Sequence, residues 1–328
     1  MEIRELNTDD RAEIRAWHDV LFEGYTGGRP PVWWSGIHEA LYRFENPSTY
    51  SDRIALVGLV DGEIVAAADA TLPNRENTDS ASIELAVQGD RTGRGHGRAL
   101  AADLRNRLVE CRRTTVDTEV YGLPGQDFSE TRGGRFAAAH GLAVANVETR
   151  YLLELPVVSM DTPLDTPLDT DIEIAGWVGP CPQQYEAQLL VLQQQMEQDV
   201  PRGELSRRPL DLDLERQRDS QRRLVERGWT SVTALAMVNG ESVGYTEILM
   251  QDSDRVMVQE DTLVLPEHRG RRIGQALKAD NLRRLDGVRD GRTMLQTFIA
   301  DSNVAMRATN AKFGFEAADV LYECEGRI

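Results

Sequence analysis

Apolar and polar positions along this chain follow two periods, and they alternate in a fixed order. Glu2–Leu6 alternates with period two, as a half-buried strand does. The stretch that follows, through Phe22, has apolar residues at helical spacing, with Asp9 or Asp10 in the N-cap position. Ile54–Val60 and Ile64–Leu72 read as strands around Asp61-Gly62, a pair suited to the two φ > 0 positions of a type I′ hairpin turn. A strand over Ser82–Val87, a helix over Gly95–Cys111 with Leu100, Leu104 and Leu108 in register, and a strand over Thr115–Tyr121 come next. A short helix around Arg135–His140 and a strand over Val144–Leu155 end this half. Between Tyr25 and Tyr50, with Pro30-Pro31, Trp33-Trp34 and Pro47, the pattern breaks down and predicts irregular structure.

The order then returns. Ile172–Ala175 reads as a strand, Gln183–Gln198 and Leu212–Glu226 as helices, and Val232–Val238 and Ser242–Met250 as a hairpin around Asn239-Gly240. A strand over Val256–Leu265, a helix carrying Ile273, Leu277, Leu282 and Leu285, a strand over Thr293–Ala300, a helix over Asn303–Phe313 and a strand over Val320–Glu325 follow. Val87-Gln-Gly-Asp-Arg-Thr-Gly-Arg-Gly-His-Gly97 falls on the frame of Val264-Leu-Pro-Glu-His-Arg-Gly-Arg-Arg-Ile-Gly274, 177 positions apart (264 minus 87). Hairpin, glycine-bearing turn and late helix recur in the same order, which indicates a tandem duplication with a period longer than any solenoid repeat. We expect two domains, residues 1–156 and 172–328. The acidic, proline-bearing segment 157–171, with its duplicated Thr-Pro-Leu-Asp, links them.

The turn before the second long helix carries the clearest chemistry. A glycine- and arginine-rich turn ahead of a helix N-terminus points backbone N–H groups and the positive end of the dipole at one place, which suits a phosphate. His268, Arg269, Arg271 and Arg272 add charge there. A Walker loop is excluded, since no Lys-Ser/Thr pair follows the glycines. The dinucleotide fingerprint Gly-x-Gly-x-x-Gly is absent as well.

The stretch resembles the acyl-coenzyme A loop of the GNAT superfamily of N-acetyltransferases, Gln/Arg-x-x-Gly-x-Gly/Ala after Val-x-Pro, here Arg269-Gly270-Arg271-Arg272-Ile273-Gly274. Arg272 stands where the middle glycine usually is. Asn303-Val-Ala-Met306 and Lys312-Phe-Gly314-Phe315 match the family's later motif, with Asn310 in place of its tyrosine. The resemblance covers the chain and implies an α/β (α+β) fold: two tandem GNAT-like domains, each a mixed, mostly antiparallel sheet flanked by helices. It also implies acetyl-CoA as co-substrate and a small-molecule amine as acceptor. The pantetheine arm would pair with the strand ending at Val264 and Leu265, and the pyrophosphate would sit on Arg269, Gly270, Arg271, Arg272, Ile273, Gly274 and Gln275. Asn303 and Asn310 would add coenzyme contacts. In the first half Val87, Gly95 and Gly97 persist, but Thr92 replaces the arginine and Gly89 the proline, so catalysis is assigned to the second domain and the first is read as partly degenerate.

An ammonium cannot attack a thioester, so a carboxylate or water must take its proton. Glu260 and Asp261 lie just upstream of the turn, on opposite faces by strict alternation, and Glu247 on the preceding strand is a third candidate. Asn310 cannot protonate a leaving thiolate, so another donor such as Tyr322 or water would act, or none is needed, since a thiolate leaves tolerably unassisted near neutral pH. The alternative to an enzyme is a non-catalytic acyl-CoA-binding or sensing protein.

Composition narrows the picture further. A net charge of −17 argues against a nucleic-acid partner. No apolar run reaches membrane-spanning length and the N-terminus is charged, so a cytoplasmic location with no membrane partner is expected. Cys111, Cys181 and Cys324 lack metal-site spacing, and no metal is expected.

Overall fold

The computed structural model describes residues 1–157, 168–252 and 254–328. In chain order the elements are β1 (Glu2–Glu5), α1 (Arg11–Thr26), α2 (Ile37–Glu45), β2 (Ser51–Val60), β3 (Glu63–Pro73), β4 (Ser80–Val87), α3 (His96–Glu110), β5 (Thr115–Gly122), α4 (Arg132–Ala139) and β6 (Ala143–Glu154). The second half runs β7 (Ile172–Val178), α5 (Gln183–Asp199), α6 (Leu214–Glu226), β8 (Trp229–Val238), β9 (Glu241–Gln251), β10 (Val256–Val264), α7 (Ile273–Asp286), β11 (Met294–Ala300), α8 (Val304–Ala311) and β12 (Glu316–Arg327). Most of the linker segment 157–171 lies outside the described residues.

Local hydrogen bonding decides the two helix starts near the N-terminus. Asp10 caps α1 by accepting from the N–H groups of Ala12 and Glu13. The stretch read as irregular contains α2, which buries Ala40 and Leu41 and starts at Gly36 with no side-chain cap, so no start signal marks it. Trp34 packs among His18, Phe22 and Tyr25 and is core.

The chain divides into two compact units, and neither is contiguous. Unit 1 comprises Met1–Glu148, Arg202–Arg208 and Asp319–Ile328; unit 2 comprises Thr149–Pro201 and Pro209–Ala318. Unit 1 has the strand order β1-β2-β3-β4-β5-β12, antiparallel except for the parallel pair β4–β5. Unit 2 has the order β7-β8-β9-β10-β11-β6, with β10–β11 its parallel pair. Each sheet's sixth strand therefore comes from the other half of the chain. β12 pairs with β5 from Val320↔Gly122 to Arg327↔Thr115, and Leu155 of the β6 end donates to the Thr293 carbonyl. The division expected at 1–156 and 172–328 is corrected accordingly. Pairing satisfies a sheet edge whichever segment supplies it, and hydrophobic period does not say which segment that is. Residues 202–208 belong to unit 1 for a similar reason: Arg208 and Asn77 exchange two hydrogen bonds (2.7 and 3.0 Å), and Glu204 N–H donates to the Ala145 carbonyl.

In each unit helices cover both sheet faces. In unit 1, α1 sets Ile14, Trp17 and Leu21 against Val57, Ala67 and Ala86, and α3 sets Leu100, Leu104 and Leu108 against Leu56, Ala66 and Ala68. In unit 2, α7 buries Ala279, Leu282 and Leu285 on one face, and α5 buries Leu189 and Leu192 against Leu235, Tyr245 and Leu263 on the other. Among the described residues no helix is long and apolar enough to cross a membrane.

Ending the chain after Ala318 tests this arrangement. It should unfold unit 1, because β12 carries the buried Asp319, Leu321 and Cys324, and losing the Leu321 side chain alone is worth about 2–5 kcal/mol. Calorimetry should lose one transition and keep the one belonging to unit 2. Loss of the unit 2 transition instead would restore the contiguous division.

Candidate functional site

In both units the parallel strands part company midway. The β10–β11 register runs from Val256↔Met294 to Val258↔Gln296, and the β4–β5 register runs from Ser80↔Thr115 to Ile83↔Thr118. Beyond these pairs each splayed edge carries backbone groups outside the ladder, and each long helix begins beside it.

The turn ahead of α7 is built by two left-handed residues. A 3-10 turn over Pro266–His268 leads to Gly270 (φ 81°), then to Arg272 (φ 62°), the N-cap of α7. Unit 1 repeats it position for position: a 3-10 turn over Gly89–Arg91, Gly93 (φ 76°), and Gly95 (φ 86°) capping α3. The substitutions in unit 1 have thus left the backbone of the turn intact. Arg132 at the start of α4 donates to the Thr92 hydroxyl at 2.9 Å, bringing a guanidinium to the position where unit 2 has Arg269. Arg272 adopts a conformation that glycine takes freely and other residues at a cost of about 1–2 kcal/mol.

Hydrogen bonding within the α7 start begins with the N–H groups of Gln275 and Ala276, both donating to the Arg272 carbonyl. The N–H groups ahead of them are those a helix start leaves for a ligand. A side chain at Gly270 would meet nothing within 4 Å, and one at Gly274 would meet only Val264, at 3.6 Å. The arginines are less available than the sequence suggested. Arg269 donates to Asp199 (2.9 Å) and to the Val264 carbonyl (2.9 Å), and Arg271 spans Asp169 and Asp171. Arg272 forms no ion pair among the described residues and points its charge into solvent. The Leu265 N–H donates to the Val243 carbonyl, closing the β9 side of the strand end.

The carboxylates are placed by an irregularity in β10. Between Gln259↔Ile248 and Thr262↔Thr246 the register slips, so that Glu260 and Asp261 together oppose one residue, Glu247. Gln259 and Thr262 both reach the Thr246 hydroxyl, at 3.0 and 2.7 Å, and so share the α7 face, which strict alternation forbids for residues three apart. Asp261 lies on the other face and accepts a hydrogen bond from the Tyr245 hydroxyl at 2.6 Å. The expectation of opposite faces for Glu260 and Asp261 is corrected: the extra residue turns both toward Glu247. The bulge carbonyls are satisfied from the core. Gln259 Nε2 donates to the Glu247 carbonyl (2.7 Å) and lies 3.3 Å from that of Asp261, which also accepts from Thr246 Oγ1 (3.0 Å).

Burial and the Asp261 charge raise the proton affinity of both Glu247 and Glu260. Burial pushes Glu247 up to about 7, with Asp261 and then Glu260 adding to it. Glu260 is also pushed up to about 7, by the protein packed around it and then by Asp261, although its surface remains exposed. Burial raises Asp261 as well, against the Tyr245 hydrogen bond.

The remaining predicted residues fall in different places. Asn303 caps α8 by accepting from the Met306 N–H. Asn310 is 1% exposed, and neither its amide nitrogen nor its oxygen has a partner among the described residues. Tyr322 belongs to unit 1. Its hydroxyl donates to the Gln126 carbonyl at 2.5 Å and its ring packs on Phe128. Val87 pairs with Ala66 at the end of β4, and Gly97 lies in the first turn of α3, where a side chain would touch Phe136 at 3.4 Å.

The sequence reading missed Gln259, Thr246 and Tyr245. The one signal was four successive polar residues, Gln259-Glu-Asp-Thr262, inside an otherwise apolar strand. It also missed Lys278, which α7 buries near the Phe315 ring and whose ammonium burial pushes down to about 7. Among the described residues no group of three His, Cys, Asp or Glu could hold a metal ion.

With this geometry in hand, comparisons with known proteins are informative. Residues 194–315 match the model of the Acetyltransferase (GNAT) family. No curated protein matches the sequence. Among solved structures, a tandem GNAT protein from the clavulanic acid biosynthesis pathway aligns with a TM-score of 0.81 and 24% identity, over 99% of this chain and 98% of that one. A GCN5-related N-acetyltransferase from Sphaerobacter thermophilus aligns with a TM-score of 0.63 and 16% identity, over 99% and 95%. Another from Kribbella flavida gives 0.51 and 12%, over 96% and 95%. Residues 194–315 thus match a GNAT family domain, and the chain as a whole shares its fold with the tandem GNAT structure.

A buried amide without partners costs about 1–3 kcal/mol, and replacing it with an apolar group of similar shape removes that cost. Asn310→Leu should therefore raise the melting temperature of the ligand-free protein by about 2–4 °C. A lower melting temperature would mean that the amide is paired in solution.

Proposed function

We propose that the protein is an acyl-CoA-dependent N-acyltransferase that moves an acetyl group from acetyl-CoA to the amine of a small molecule, with unit 2 performing the transfer. The observation that carries this reading is the β10 bulge, which sets Glu260, Asp261 and Glu247 on one face just before the α7 turn. Unit 1 pairs β4 with β3 in unbroken register, from Ala66↔Val87 to Thr71↔Ser82, and has no such bulge.

The α7 turn fits the coenzyme. Its glycines leave room for close approach, its leading N–H groups suit a pyrophosphate, and the Asn310 amide has no hydrogen-bond partner among the described residues. Val264, Leu265, Gly270–Gln275, Asn303 and Asn310 are the residues we assign to it, with Arg272 supplying charge; Arg269 and Arg271 act after exchanging their carboxylate partners. In the reaction the acceptor ammonium gives a proton to Glu260, and its nitrogen lone pair forms the bond to the thioester carbonyl carbon. The bonded nitrogen then gives its second proton to water, the C–S bond breaks to leave the amide, and the sulfur leaves as a thiolate that takes a proton from water. A base near neutral suits this step, being part carboxylate while still basic enough to accept the proton. The same three carboxylates favour an acceptor of positive charge.

Asn310, in the place of the family's usual tyrosine, and the Tyr322 hydroxyl donating to Gln126 favour a second reading, a non-catalytic acyl-CoA binder. A thiol-release assay over a panel of amines separates the two: amine-stimulated release supports the enzyme, and tight coenzyme binding without release supports the binder.

Gly274→Val should weaken acetyl-CoA binding at least about ten-fold while the same change at Gly97 alters it little, as measured by calorimetric titration. Equal losses would remove the assignment to unit 2. Glu260→Gln should lower the rate about 100-fold at neutral pH with acetyl-CoA affinity kept. The wild-type rate should fall as pH drops through about 7, where Glu260 takes up its proton. The variant should lose that limb and recover at high pH, where the acceptor is already deprotonated. An unchanged pH profile would move the role to Glu247, Asp261 or solvent.

A further inference from the structure

The sheet face under α7 in unit 2 is polar where the matching face under α3 in unit 1 is apolar. The Gly244↔Val264 and Ala66↔Val87 pairs set a common frame for the two ladders, and on it Thr246 and Thr262 stand where unit 1 has Ala68 and Leu85. Gln259, opposite Ile248, stands where unit 1 has Ile83, opposite Ala70. Asn281 of α7 stands where α3 has Leu104, at the 177-position displacement of the two turns (281 minus 104). All four apolar counterparts belong to the core under α3. Between the flanking pairs unit 1 has one residue, Glu84, against Asp69, whereas unit 2 has two, Glu260 and Asp261, against Glu247. The apolar set thus goes with a regular ladder, and the polar set with the inserted residue.

The hydrogen bonds explain the association. An inserted residue takes carbonyls out of the ladder, and an apolar core offers them no donor. In unit 2 Gln259, 4% exposed, donates through Nε2 to the Glu247 carbonyl at 2.7 Å and to Thr246 Oγ1 at 3.0 Å. Thr246, fully buried, has one hydroxyl proton, and the Asp261 carbonyl at 3.0 Å takes it. Its oxygen therefore accepts from Gln259 and from the Thr262 hydroxyl at 2.7 Å. Asn281 Nδ2 donates to the Thr246 and Val232 carbonyls, at 3.1 and 2.8 Å, and fastens β8 and β9 beneath α7 at this level.

We propose that Gln259 and Thr246 are positioning residues for the base of unit 2: their donors, and not the ladder, keep the inserted residue in β10 and so set Glu260 and Asp261 together against Glu247. The link to a base rests on the function proposed above; the positioning itself does not. Each side chain acts through the strand and not on a reacting atom. The groups facing the three carboxylates from their neighbours are the Thr233 hydroxyl on β8, 3.2 Å from Glu247, the Tyr245 hydroxyl on β9 and Glu197 on α5 beside Asp261, and the Cys181 thiol ahead of α5 beside Glu247.

The test is a pH titration followed by NMR, on the full chain isotope-labelled at the glutamate carboxyl carbons, with Glu247→Gln and Glu260→Gln assigning the two signals. In the wild type both should titrate near 7. Gln259→Met keeps the side-chain length and removes the donor; water should then enter to serve the bulge carbonyls, and both midpoints should fall by about one pH unit or more toward the ordinary glutamate range. Thr246→Val should act in the same direction, and Thr246→Ser, which restores the hydroxyl, should return the wild-type midpoints. The Thr246 pair decides the matter if Gln259→Met does not fold, which circular dichroism checks. Leu285→Ala, a core truncation in the same helix, should lower the melting temperature and leave both midpoints in place. Glu84 of unit 1, which burial raises to about 7, should stay there in every variant. Midpoints that remain near 7 in Gln259→Met or Thr246→Val, or that move as far in Leu285→Ala, would overturn the proposal. Thiol release is read separately: an amine panel that draws none from the wild type would remove the base and leave the positioning result standing.

Discussion

The hydrogen bonds that Gln259 and Thr246 make into the β10 bulge are the constraint on which the candidate site rests. An extra residue in a strand leaves carbonyls that the ladder cannot serve, and such groups are costly when buried. Gln259 Nε2 and Thr246 Oγ1 serve them from within the α7 face, and Asn281 on α7 ties the Thr246 and Val232 carbonyls to the same network. Because these groups hold the bulge open, Glu260 and Asp261 both confront Glu247, and burial followed by repulsion from Asp261 raises Glu247 and Glu260 toward neutrality. With regular alternation one of the two would have been driven into the α7 core without a partner.

The two units show how one backbone supports divergent chemistry. Both build the same turn, with left-handed residues at equivalent positions, but unit 1 uses Gly95 where unit 2 uses Arg272. The glycine relaxes the turn, whereas the arginine strains it and sets a charge at the helix start. Unit 1 keeps its acids at the splay without the bulge, in a cavity roofed by α1, and unit 2 brings its acids forward on the strand. Function then follows from the site and not from the fold the two units share.

Much of this molecule was legible from local pattern. The hairpins at Asp61-Gly62 and Asn239-Gly240, the leucine register of α3, the Asp10 cap and the duplicated turn depend on neighbours a few residues away, and every one is where the period placed it. α2 escaped because its start has no side-chain cap, and the bulge escaped because two-residue alternation has no means of registering an inserted residue.

What only the tertiary structure decided depends on contacts distant in sequence. The partner of a strand edge is set by contacts distant in sequence, so β12 closes unit 1 and residues 149–154 of β6 enter unit 2. The charge a turn presents depends on the acids that fold beside it, so Arg269 and Arg271 meet Asp199, Asp169 and Asp171 while Arg272 does not. Burial left the Asn310 amide unpaired and tied the Tyr322 hydroxyl to Gln126, 196 positions away. Sequence by itself determined the elements, the duplication and the phosphate-type turn, because those arise from backbone sterics and period. Partners, protonation and the face each carboxylate shows were decided in three dimensions, because pairing and desolvation are properties of neighbours that the order of residues does not specify.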